Sequence, residues 1–294
     1  MNNNIFLTGT NGFIGKNIKN YLKIQKYKIS CIDFNDEIKP FEFLENFNRL
    51  VKEGDVVIHN GACSSTTVDD PFKVNMLNFD YSQKLLKKCI EKKARLIYAS
   101  SASVYGDGPF IEDAIKKPKN LYALSKSMFD DYSMQFKNFI PQIVGLRYFN
   151  VYGPHENHKK DMASVVYKFF HQKKQNNTIK LFKNSDQYNR DFVFIYDVVD
   201  MIMFFINNEE YSGIYNCGSG IANSFQDIAN IFVKKYNCNI EYVDMPSKLK
   251  GKYQKYTLSN NIKINNIFSK NRTTLLSGVT KYIDYLELKN ENIY

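Results

Sequence analysis

Tyr122 and Lys126 stand four residues apart in the helix-patterned segment Tyr122-Ala123-Leu124-Ser125-Lys126. That spacing puts both side chains on one helix face. An ammonium beside a phenol lowers the pKa of the phenol, so Tyr122 is expected to act as an acid or base near neutral pH. Lys126 can also hold a ribose. Taken alone, the pair has a plainer explanation, an exposed helix face. Ser100-Ser101-Ala102-Ser103-Val104-Tyr105-Gly106 supplies a third group. It follows an apolar strand pattern and so falls at the carboxyl edge of a sheet, where ligands bind in open α/β folds. From there the Ser101 hydroxyl could hydrogen-bond a reacting oxygen.

A second constellation lies at the start of the chain. Thr8-Gly9-Thr10-Asn11-Gly12-Phe13-Ile14-Gly15 places glycines at 9, 12 and 15, directly after a strand and before a helix. A tight turn there lets backbone N–H groups approach a pyrophosphate, and the following helix offers its unpaired donors and positive dipole end. Glycines alone are weak evidence; the strand–turn–helix setting is what makes them a dinucleotide loop, with Asn11, Phe13 and Ile14 beside the ligand. Asp33 ends the second strand, 18 residues after Gly15. A carboxylate there accepts hydrogen bonds from an adenosine ribose and repels a 2′-phosphate, which favours NAD. Lys39 is near enough in sequence to compensate, so NAD and NADP both stay open.

These groups need a frame. Apolar strand patterns at Ile5–Leu7, Lys28–Asp33, Asp55–His59, Arg95–Ser100 and Gln142–Leu146 alternate with helix patterns at Phe13–Ile24, Asn75–Lys92 and Tyr122–Phe136. Repeated βα units predict an α/β fold, a doubly wound parallel sheet of the Rossmann type covered by helices on both faces. Residues 1–150 form the expected dinucleotide-binding domain, with a return near 190–220. Residues 151–189 and 221–294 form a smaller, mostly C-terminal α/β lobe for substrate, with helices near 163–173, 197–207, 225–236 and 272–286. The stretch Phe34–Lys52 is short for the strand plus helix that such a sheet places there.

Composition agrees with a folded enzyme. Hydrophobic residues make up 44% of 294, and 23 Phe and 21 Tyr replace the missing Trp in the core. The net charge is +10, but Lys residues are scattered among Asn and Ile, which predicts a solvated basic surface rather than a nucleic-acid site. Five cysteines without a CxxC pair predict reduced thiols, buried at Cys31 and Cys217, and no disulfide frame or zinc site. The apolar run Val198–Ile206 is interrupted by Asp200 and is too short to span a bilayer. The chain enters a strand at once with no basic n-region or h-region, so a cytoplasmic location is expected.

The glycine loop, the Ser101 segment and the Tyr122/Lys126 pair occur in the order found in extended short-chain dehydrogenases/reductases, which the chain resembles. Sugar 4,6-dehydratases of that superfamily carry an acid pair after the equivalent of Ser101. Ala102 and Ser103 stand there instead, which disfavours dehydration and leaves epimerisation or simple redox. Further stretches resemble the ADP-L-glycero-D-manno-heptose 6-epimerase family over most of the chain: Gly61-Ala62-Cys63-Ser64-Ser65-Thr66-Thr67, Gly145–Pro154, His158-Lys159 with Met162-Ala163-Ser164, Lys180-Leu181-Phe182, Arg190-Asp191-Phe192-Val193 and Leu249-Lys250-Gly251-Lys252-Tyr253-Gln254. The resemblance implies a nucleotide-sugar epimerase that oxidises C6 to a ketone and returns hydride to the other face. It implies NADP, with NAD also compatible, bound by Gly61, Ala62, Cys63, Ser64 and Val151 as well as the loop. Tyr122 matches one proton-handling residue and Lys159 the second, with Lys160 adjacent. Asn150, Asp161, Phe182, Lys183, Asn184, Ser185, Arg190 and Tyr253 match substrate positions, Arg190 suiting a diphosphate through paired hydrogen bonds. Arg190 also has a structural reading, an ion pair with Asp191 or another acid. A homo-oligomer is implied. Phe34, Asp161 and Lys168 depart from the family pattern, so another nucleotide-linked sugar on the same fold is the alternative.

Overall fold

The computed structural model describes residues 3–33, 38–64, 70–246 and 254–291, excluding the side chains of Ile38, Lys39, Asp161, Asn290 and Glu291. In chain order the elements begin β1 Ile5–Thr8, α1 Phe13–Ile24, β2 Ile29–Ile32, α2 Ile38–Leu50, β3 Val56–His59, α3 Pro71–Asn75, α4 Tyr81–Lys92, β4 Arg95–Ser101, α5 Leu121–Gln135 and β5 Ile143–Tyr148. They continue β6 Asn150–Tyr152, α6 Val165–Asn176, β7 Thr178–Phe182, β8 Asn189–Phe194, α7 Ile195–Asn207, β9 Gly213–Cys217, β10 Ala222–Ser224, α8 Phe225–Tyr236, β11 Asn239–Val243, α9 Ile262–Asn265 and α10 Leu275–Glu291. The chain divides into two compact units, 1–148 with 199–217, and 149–198 with 218–294. The segment that returns to the first unit lies inside the expected 190–220, because β8 pairs with β6 and β10 in the second.

The first unit holds a six-stranded sheet, β2-β1-β3-β4-β5-β9, parallel throughout. β1 and β3 are buried at every position, as strands covered on both faces must be. The chain goes to opposite sides of β1 to make β2 and β3, so the sheet switches direction there and a crevice opens beyond the strand ends. Phe6, Phe43, Phe47, Leu85, Leu86 and Leu96 form the centre of one core layer. α2 lies within the shortened Phe34–Lys52 stretch, of which 34–37 fall outside the described residues, and packs Phe43 and Phe47 against that layer. The single helix expected over 75–92 starts earlier, where Asp70 caps Lys73 N and Pro71 opens the first turn. A π turn at Met76–Asp80 then joins α3 to α4. Cys217 is buried as expected, but Cys31 is exposed. The reason is that β2 is the edge strand, with only Ile32 fully buried.

The second unit holds β10-β8-β6, with β6 parallel and β10 antiparallel to β8, and a parallel pair β7–β11. Helices α6 and α8 meet through an edge-to-face Phe169–Phe232 contact. Ser224 and Asp227 cap α8 reciprocally, which fixes its start. Among the described residues no helix is long and apolar enough to cross a membrane.

Candidate active site

In the first unit the glycine loop joins β1 to α1. Gly9 has φ +73°, and a Cβ there would lie 2.7 Å from Gly61 N. A Cβ on Gly15 would lie 2.0 Å from the Gly9 carbonyl oxygen. Backbone fills the space in both cases, so only glycine fits. α1 starts at Gly12 with no side chain capping its first turn, which leaves that helix end to an anion. Asp33 sits just past β2, and its carboxylate accepts a hydrogen bond from the Asn11 amide. Loop, helix end and carboxylate together suit a dinucleotide. Lys39 falls on α2, its side chain outside those described.

β4 and α5 carry the reactive groups. Asn120 caps α5 through Ala123 N (2.8 Å), one residue before Leu121 and two before Tyr122. Ser101 is the last residue of β4, and its hydroxyl lies near enough to the Tyr122 phenol to favour the phenolate. The Ser101 oxygen also accepts from Ser103 Oγ (2.9 Å) and Ser103 N (3.2 Å). Lys126 Nζ donates to the Ala99 carbonyl (2.8 Å) and lies 5.9 Å from the Tyr122 ring centroid. Ser101, Tyr122 and Lys126 therefore come together as the sequence implied.

The electrostatics correct one expectation. Tyr122 is not lowered: burial raises it above the ordinary tyrosine value, Ser101 opposes that rise, and Asp130 and Cys63 add to it. Burial also brings Lys126 down to about 8, against the pull of Asp130. Adjacency of Lys126 was legible, but its ammonium turns to the Ala99 carbonyl, and loss of water around the phenolate sets the direction of the shift.

A buried polar chain missed by sequence reasoning supports this site. His59 Nδ1 meets Thr8 Oγ1 at 2.8 Å, and Nε2 meets Ser82 Oγ at 2.9 Å. Ser82 Oγ donates to the Asn78 carbonyl (2.7 Å), so it must accept from His59 Nε2–H. The bare Nδ1 then accepts from Thr8 Oγ1–H, and Thr8 Oγ1 accepts from Gly61 N (3.1 Å). His59 is thus neutral, its pKa lowered to about 3 by burial and by Lys126. Asn78 grips the backbone of Cys63 at both N (2.8 Å) and O (3.1 Å) and donates to Ser125 Oγ (3.0 Å). Gly61, Ala62, Cys63 and Ser64 are thereby tied between the end of β3 and α5. Ser65, Thr66 and Thr67 of the same motif lie outside the described residues.

The second unit holds the other expected residues. Lys159 lies in a 3-10 turn, Asn157–Met162, and is half-buried, whereas Lys160 is exposed with φ 47°. Burial lowers Lys159, Glu156 raises it and Lys168 lowers it further. Asn150 and Val151 lie on β6, and Asn150 Oδ1 accepts from Thr257 Oγ1 (3.4 Å). Phe182 ends β7, exposed Lys183 pairs with Asp244 (3.1 Å), Asn184 adopts φ 59°, and Ser185 is buried with its hydroxyl unpartnered. Arg190 is buried on β8, donates to the carbonyls of Asn189 (2.9 Å) and Gln254, and stacks over Phe225. The Asp191 carboxylate instead accepts from Ser219 N and Oγ, Gly220 N and Ser259 N. The Asp161 side chain and Tyr253 lie outside the described residues.

Comparison with known proteins gives a consistent result. A model of the NAD dependent epimerase/dehydratase family matches residues 5–218. ADP-L-glycero-D-manno-heptose-6-epimerase of Brachyspira hyodysenteriae is 41% identical over 310 aligned residues, covering 96% of this chain and 98% of that one. The crystal structure of Helicobacter pylori ADP-L-glycero-D-manno-heptose-6-epimerase superposes with a TM-score of 0.85 at 28% identity, over 97% of this chain and 96% of that one. Thermus thermophilus UDP-glucose 4-epimerase in complex with NAD superposes with a TM-score of 0.79 at 20% identity, over 97% and 99%, a likeness of fold alone.

Proposed function

The chain belongs to the NAD dependent epimerase/dehydratase family, and on that premise we propose that it inverts C6 of an ADP-linked glycero-manno-heptose through a transient ketone. The observation that carries this reading is the cluster at the end of β4, where Ser101 closes the strand, Lys126 Nζ reaches the Ala99 carbonyl (2.8 Å) and Lys126 lies 5.9 Å from the Tyr122 ring centroid. In the first half, the C6 hydroxyl gives its proton to a base and its carbon gives up hydride, leaving a ketone. In the second, hydride returns to the other face of that carbon and the oxygen regains a proton. A bound nicotinamide dinucleotide supplies the hydride acceptor and then the donor. Ser101 holds the reacting oxygen. Tyr122 handles the proton on one face and Lys159 on the other, and Lys126 binds ribose hydroxyls. Lys159 rather than Lys160 takes this role because it is the half-buried member of the pair. Arg190, matched to a substrate position by the family resemblance, is assigned to the diphosphate. The Asp33 carboxylate, held by Asn11, favours NAD over the NADP that the family resemblance implies.

The test is product analysis by NMR against ADP-, UDP-, GDP- and dTDP-sugars, run in D2O. The expected outcome is interconversion of D- and L-glycero ADP-heptose without deuterium at C6, because the hydrogen travels as hydride and not through solvent. Deuterium at C6, or turnover only of another nucleotide sugar, defeats the reading. The second outcome is the alternative that the departures from the family pattern at Phe34, Asp161 and Lys168 leave open.

A further inference from the structure

We infer that Glu156 is a positioning residue for Lys159, holding both ends of the turn that carries it and placing a buried carboxylate at that turn. The inference rests on the proposed proton-handling role of Lys159. Glu156 is fully buried. Its carbonyl accepts from Lys159 N at 3.0 Å and so opens the turn. Its carboxylate accepts from Ser164 N at 2.6 Å and from Ser164 Oγ at 2.5 Å and so closes it.

Capping alone does not explain a buried carboxylate. Ser164 already caps α6, with Tyr167 N donating to its hydroxyl (3.4 Å). A serine is sufficient at such a position, whereas a buried carboxylate is costly unless it is hydrogen-bonded and meets positive charge. The helix end provides part of that charge. Lys159 provides the rest: Glu156 favours its charged form, while burial and Lys168 oppose it. Two phenols also face the carboxylate, Tyr167 from α6 and Tyr282 from α10, and both are raised by burial first and by Glu156 second. Glu156 and Lys168 thus act on Lys159 in opposite directions, and Glu156 is the group that favours its proton.

The experiment reads Lys159 directly. Wild type, Glu156→Gln and Lys168→Gln are labelled with an amine-reactive reagent across a pH series, and modification of Lys159 is followed by mass spectrometry. Glu156→Gln keeps an oxygen for Ser164 N and removes the charge. Its labelling midpoint should move to lower pH, with labelling at pH 7 rising about threefold or more. Lys168→Gln should move the midpoint the other way. Glu156→Asp keeps the charge on a shorter arm, so the Lys159 midpoint should fall by less than in Glu156→Gln, and it is the variant read where Glu156→Gln fails to fold. An unmoved Lys159 midpoint in folded Glu156→Gln, or in folded Glu156→Asp where the first variant fails to fold, overturns the inference. Full turnover in Lys159→Ala would instead overturn the proton role of Lys159 and leave the Glu156 coupling intact.

Discussion

The neutral, buried His59 makes stability acid-sensitive in a way that one substitution isolates. Its folded pKa is about 3 against an ordinary 6.5. Between those values the unfolded chain binds a proton that the folded chain refuses, so stability rises with pH there. The contribution is complete above about pH 6.5 and is lost as pH falls toward about 3. Each pH unit in that window is worth about 1.4 kcal/mol, so the move from pH 7.5 to pH 5 should cost about 2 kcal/mol through this residue alone. His59 is 3% exposed and its ring is bonded at both nitrogens, so solvent screening does not reduce that figure. The assay is urea unfolding of wild type and His59→Gln at both pH values, followed by circular dichroism. The packing lost on substitution is the same at each pH and cancels, as do the carboxylates common to both proteins. Wild type should lose about 2 kcal/mol more than the variant on acidification. An equal loss in the two proteins would show that the ring accepts a proton in the fold, and the tautomer assigned from Ser82 and Thr8 would fall with it.

Two further outcomes follow from the site. Gly15→Ala brings a methyl group to 2.0 Å from Gly9 O, so the loop must open; the purified variant should carry no nicotinamide dinucleotide, measured by releasing and quantifying the cofactor, while a full complement of cofactor would show that the loop is not the pyrophosphate cradle. Tyr122→Phe should lower turnover by about 100-fold or more and leave cofactor content unchanged. Because burial keeps the phenol protonated, turnover limited by the phenolate should climb with pH between about 6 and 9, and a flat profile there contradicts that limit.

Local periodicity was enough to find the parts of the chain that act locally. α1 and α8 have the bounds read from sequence, since Gly12 and Ser224 mark their starts and apolar spacing fills them. The four-residue step from Tyr122 to Lys126 and the three-residue steps through Gly9, Gly12 and Gly15 are equally short-range. What escaped depends on distance along the chain. The Thr8–His59 and Asn78–Ser125 bonds join residues 51 and 47 apart, and β6 and β10 are three residues long, defined mainly by pairing with β8. Exposure escaped too: Cys31 sits in an apolar run but on an edge strand.

Solvent loss also decides the chemistry, because it sets the sign of both proposed proton carriers. Burial pushes Tyr122 toward keeping its proton and Lys159 toward giving its proton up. Spacing gave Lys126 as the neighbour of Tyr122 and nothing for Lys159 but the adjacent Lys160; it does not give the loss of solvent that sets both directions. One group is drawn to its protonated neutral form and the other to its deprotonated neutral form. Glu156 then limits how far Lys159 goes, and Ser101 limits how far Tyr122 goes. The two restraints oppose burial at each group.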